Sequence, residues 1–109
     1  MSRAQEGKHS EGVEAIVERL FDSTTEYYSI KVEEDVYIGK NILYSTDVKC
    51  NLYNTLLLFE YKTNHRSSTE SSAKRQLEIA YKDNKNKYEK IVMFYVSGNP
   101  LVFRRKYIK

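Results

Sequence analysis

A chain of 109 residues that is 40% hydrophobic and 13% aromatic carries enough apolar matter for one modest core, not two, and too much for a disordered chain. Its net charge of +3 permits a polyanionic partner without demanding one. A single cysteine, Cys50, excludes an intrachain disulfide and suits a reducing cytosol, and neither a hydrophobic leader nor an apolar run of about 18 residues is present, so a cytoplasmic protein with no membrane span is expected.

Residues 1–9 are polar and basic, and are expected to form a flexible tail. Ser10 can cap a helix over about residues 11–22, where Val13, Ile16, Val17, Leu20 and Phe21 recur at helical spacing. Residues 27–32 read as a strand, interrupted by Glu33-Glu34-Asp35. Residues 36–44 form another strand or an irregular arm, with Gly39 as a bend. Residues 48–52 and 55–62 read as strands around a tight turn at Tyr53-Asn54. The unbroken Leu56-Leu57-Leu58-Phe59 predicts a central strand covered on both faces. Residues 63–72 form a polar loop, followed by a second helix over about residues 71–84 with Ala73, Leu77, Ala80 and Tyr81 on one face. Residues 91–96 read as a buried strand, Ser97-Gly98-Asn99-Pro100 as a turn, and residues 101–108 as an edge strand bearing Arg104, Arg105 and Lys106. The order predicts one α/β domain, a mixed sheet of about five strands flanked by two helices.

Chemistry concentrates around Asp47 and Glu60-Tyr61-Lys62. Alternation along a strand puts Glu60 and Lys62 on one face and Tyr61 on the other. If the flanking runs pair as a hairpin, Asp47 approaches Glu60. Two carboxylates and an ammonium at a sheet edge suit a hard divalent cation and an activated water. A same-face salt bridge is the plain alternative, weakened by the apolar character of the rest of the strand. No nucleophile elbow, Gly-rich phosphate loop or zinc-ligand spacing is present.

Asp47 and Glu60-Tyr61-Lys62, in the order helix–strand–Asp–strand–Glu-x-Lys–helix–strand, resemble the PD-(D/E)XK nuclease superfamily. The opening Gly7-Lys8-His9-Ser10-Glu11-Gly12-Val13-Glu14 is similar to that of small archaeal and viral Holliday junction resolvase-like nucleases. Thr46 stands where that motif has proline. The resemblance implies a restriction-endonuclease-like sheet and Mg²⁺ (with Mn²⁺ as a substitute) held by Asp47, Glu60 and the Tyr61 carbonyl, with Lys62 orienting water. It also implies a first-helix glutamate, for which Glu14 flanks the apolar stripe and Glu11 is the alternative. Structure-specific cleavage of DNA by a homodimer follows, or action on single-stranded, nicked or flapped DNA. A catalytically silent nucleic-acid binder is the reading from another class. Related nucleases place a glutamine near the site, and Gln76 is the candidate, though Tyr81 follows it by five residues rather than four. Lys8, His65, Arg66 and Lys74 are candidates for contacting phosphates, with a solvated surface as the alternative for each. The abundance of Lys, Asn and Tyr suits an AT-rich genome, such as that of a virus or mobile element.

Overall fold

The computed structural model describes residues 3–23 and 29–109. Seven elements follow in order: α1 (Arg3–Ser23), β1 (Ser29–Ile38), β2 (Asn41–Leu52), β3 (Thr55–Lys62), α2 (Ser67–Asn84), β4 (Lys90–Ser97) and β5 (Val102–Ile108). The strands form one mixed sheet in the order β1-β2-β3-β4-β5. All neighbours are antiparallel except β3 and β4, which are parallel and joined through α2, as a parallel pair requires a crossover. This is the α/β architecture that the hydrophobic pattern predicts, with β3 central and β5 at an edge.

The alternation of β3 sorts its side chains onto two cores. Leu56 and Leu58 pack with Ala73, Leu77 and Ala80 of α2 and with Ile91, Met93 and Tyr95 of β4. Phe59 and Tyr61 pack on the opposite face with Val13, Ile16 and Leu20 of α1, together with Val48, Cys50 and Val96. Cys50 is a buried core residue whose thiol pKa is raised by burial.

Several boundaries differ from the sequence reading. The tail through His9 is not a separate flexible segment: α1 is helical from Arg3, so Ser10 lies inside the helix rather than capping it. The residues at positions 3–6 are mostly good helix formers, and His9 is held at the sheet edge as described below. Glu33-Glu34-Asp35 does not end a strand: β1 runs through it, with Glu33 in a left-handed conformation at φ 50°. The chain reverses at Gly39, whose φ of +62° favours glycine, so residues 36–44 divide between β1 and β2 as a hairpin. Tyr27 and Tyr28, expected to open the first strand, lie outside the described residues. Helix α2 starts one turn earlier than predicted. Thr69 Oγ1 accepts the Arg66 backbone N–H at 2.7 Å and donates to the Arg66 carbonyl at 2.8 Å, tightening the first turn.

Candidate active site

The β2–β3 ladder ends at Val48 opposite Phe59. One residue further, the strands part, and Asp47 turns its side chain into the opening. Its Oδ2 accepts the Tyr61 backbone N–H at 2.7 Å, replacing the strand-to-strand bond that would continue the ladder. Asp47 also shares a hydrogen bond with Glu60, which is buried at 4% exposure. A lone buried carboxylate favours its neutral form. Burial raises the Glu60 pKa well above its ordinary value, the Asp47 hydrogen bond and charge raise it further, and Lys62 opposes them. Burial also pushes Asp47 up, but hydrogen bonds from His9, Glu60 and the Tyr61 amide outweigh it and leave its pKa lowered. The two shifts run in opposite directions, Glu60 toward its neutral form and Asp47 toward its charged form.

Lys62 shares the face of Glu60 and directs Nζ to Gln76 Oε1 of α2 at 3.4 Å. Tyr61 points to the other face. Its ring lies across Gly12, where an added Cβ would fall 2.1 Å from a ring carbon, and its hydroxyl donates to the Gly98 carbonyl at 2.9 Å. The strand alternation read from Glu60-Tyr61-Lys62 is thus present.

The remaining candidates fall in different places. Glu14 is exposed and lies about 140° around α1 from His9, at about 100° per residue, on the solvent side of the helix. Glu11 is exposed as well, and its charge helps raise the Tyr61 pKa after the larger effect of burial. The helix residue brought to the carboxylates is instead His9, whose Nε2 lies 3.2 Å from Asp47 Oδ1. His65 is exposed but not loose: its Nδ1 lies 2.9 Å from the hydroxyl of Tyr95, a buried side chain beside Glu60 in the parallel register. Thr69 Oγ1 approaches the same hydroxyl at 3.3 Å. Lys8, Arg66 and Lys74 are exposed.

Sequence reading placed His9 in a basic tail rather than beside Asp47, and did not single out Glu33, Thr69 or Tyr95. His9 was detectable, because carrying the apolar period of Val13 and Ile16 back by four and seven residues lands on it. Glu33 and Tyr95 join the site only through strand register, which local pattern does not specify.

The donor set fits a hard cation: the buried Glu60 carboxyl beside the half-buried Asp47 carboxylate offers adjacent oxygen donors. Among the described residues no group of three or more His, Cys, Asp or Glu side chains is placed to hold a metal ion. A cation here would rest on Asp47 and Glu60, completed by a backbone carbonyl, water and a substrate oxygen, as Mg²⁺ sites with one or two carboxylates are. No described helix is long and apolar enough to cross a membrane. No family model, curated protein or solved structure matches the chain.

Proposed function

We propose that this protein is a metal-dependent endodeoxyribonuclease of the PD-(D/E)XK type, hydrolysing phosphodiester bonds in structured DNA. The observation that carries the reading is the contact of buried Glu60 with half-buried Asp47 at the point where β2 and β3 part, with Lys62 beside Glu60 on the same face. Holding a buried carboxyl against a second, half-buried one is costly for a small domain unless a cation offsets them. Asp47, Glu60 and the Tyr61 carbonyl would hold Mg²⁺, or Mn²⁺ in its place. When bound, the cation supplies positive charge against the negative charge developing on the phosphate. Lys62, steadied by Gln76, orients the attacking water through its ammonium. Lys8, His65, Arg66 and Lys74 offer exposed donors to the DNA backbone, contacts that weaken as salt rises. Paired cleavage of a four-way junction calls for two such sites, hence a homodimer.

The test is incubation with labelled four-way junction, flap, single-stranded and duplex DNA, in Mg²⁺ or EDTA, beside Glu60→Ala and Lys62→Ala. Metal-dependent cutting is expected in the wild type, with a loss of about a hundredfold or more in each variant. Paired cuts across the junction identify a resolvase, and cuts confined to flaps or single strands identify the alternative substrate class. No cutting with either Mg²⁺ or Mn²⁺, with DNA binding intact in Glu60→Ala, sinks the nuclease reading in favour of a silent binder.

A further inference from the structure

Three elements meet at Asp47, and one residue joins them. In the β1–β2 register Val32 faces Val48 and Glu34 faces Thr46, so Glu33 lies across from Asp47. The left-handed backbone at Glu33, φ 50°, takes it out of that pairing. Non-glycine residues adopt this conformation where surrounding contacts over-determine it, and such places cluster at functional sites. His9 bridges the two acids. Its Nδ1 lies 3.6 Å from Glu33 Oε1 and its Nε2 lies 3.2 Å from Asp47 Oδ1. The edge of its ring meets Tyr61 at 5.8 Å between centroids. Tyr61 in turn fixes the height of α1 by filling the space over Gly12.

We propose that His9 is a positioning residue for Asp47, with Glu33 holding the imidazole from behind. The inference rests on the reading of Asp47 and Glu60 as the cation-binding pair. Asp47 would then be secured at both oxygens, by the Tyr61 amide at Oδ2 and by His9 at Oδ1. A carboxylate has about four acceptor sites, so the Tyr61 and His9 bonds remove the freedom of the side chain to turn, and the lone pair that now meets Glu60 is the one a cation between the two acids would take. Hydrogen-bonding partners of ligating groups characteristically change metal affinity by about 10–100-fold. The first turns of α1 therefore belong to the functional site, and Lys8, exposed beside His9, is carried with them.

The competing account is that His9 only packs on Tyr61. Four full-length variants separate the two: His9→Ala, His9→Phe, His9→Gln and, as an exposed control on the same helix, Glu18→Ala. Binding of Mn²⁺ alone is measured by electron paramagnetic resonance of the free ion, with circular dichroism to confirm folding. His9→Phe keeps a ring against Tyr61 but cannot donate; it and His9→Ala are expected to weaken Mn²⁺ about tenfold or more. His9→Gln, whose amide nitrogen reaches about as far as Nε2, is expected to recover affinity to within a few-fold of the wild type, and Glu18→Ala to match it. Unchanged or tighter binding in His9→Phe overturns the proposal while leaving the metal site standing. His9→Gln as weak as His9→Phe also overturns it. A wild type that binds no Mn²⁺ overturns the underlying metal reading, and the role of His9 with it.

Discussion

Gly12 is where the absence of a side chain has its largest consequence. The Tyr61 ring occupies the space a Cβ would need, at 2.1 Å, and that ring is anchored by its hydroxyl on Gly98 and by its neighbours in the core. Relief requires either α1 to lift or the ring to leave its place. Gly12→Ala is therefore expected to destabilise the fold by about 3 kcal/mol, at the upper end for overpacked cores, despite the better helix propensity of alanine. In a domain of this size that lowers the melting temperature by about 10–20 °C, measurable by circular dichroism. A melting temperature unchanged or raised in the variant would show that the ring moves freely. Because Tyr61 also presents its amide to Asp47 and its ring to His9, the same variant is expected to lose the proposed metal binding before it loses its secondary structure.

At the scale of elements, α2 is placed by a hydroxyl rather than by an acceptor at its N-cap. Arg66 occupies that position, and a guanidinium has no acceptor to offer the first-turn N–H groups. Thr69 closes the turn instead, and the same oxygen approaches Tyr95, which holds His65. Thr69→Ala is expected to cost about 1 kcal/mol, read from the shift of a urea unfolding midpoint at constant slope. It is also expected to raise hydrogen exchange at residues 64–69 above that of the core of β3. Equal exchange in both proteins would mean that Tyr95 alone suffices to hold the loop. The other end of the helix is secured independently, by Asn84 Nδ2 donating to the Ala80 carbonyl at 2.8 Å, so the effect should stay local.

For the whole molecule, the titrating groups at the site set how stability depends on pH without metal. Glu60 has a raised pKa when folded, chiefly through burial and the Asp47 contacts, so its contribution is full below about pH 4.3 and is lost as pH rises through the folded value. His9 is also raised, chiefly by its hydrogen bond to Asp47, so its contribution is full below about pH 6.5 and is lost above its own folded value. Asp47, lowered when folded despite its burial, works the other way: its contribution is present above about pH 3.9 and is lost as pH falls through the folded value. Metal-free protein is thus expected to melt at progressively lower temperature from pH 5 to pH 8.5. Glu60→Gln should flatten that decline, and Mg²⁺ should offset it by supplying the missing charge. A melting temperature that stays level or rises across this range in EDTA would contradict the raised pKa values of Glu60 and His9.

The sequence by itself determined the order and type of the main helices and strands, though not where several of them begin and end, because apolar spacing of 3.6 or 2 residues reports a buried face without reference to any partner. It made β3 central, since four consecutive apolar residues need cover on both sides, and it put Glu60 and Lys62 on one face of that strand. It also singled out Asp47, as the acid one residue before the short apolar run that pairs with β3. What only the tertiary structure decided was which groups from distant elements close around that edge. The parallel register of β3 and β4 puts Tyr95 beside Glu60, and the crossover of α2 lays Gln76 on Lys62. The left turn at Glu33 and the extension of α1 to Arg3 bring His9, rather than Glu14, to Asp47. Periodicity fixes the face a residue occupies; which residues meet across faces depends on register and packing between segments far apart in the chain, and no local pattern encodes it.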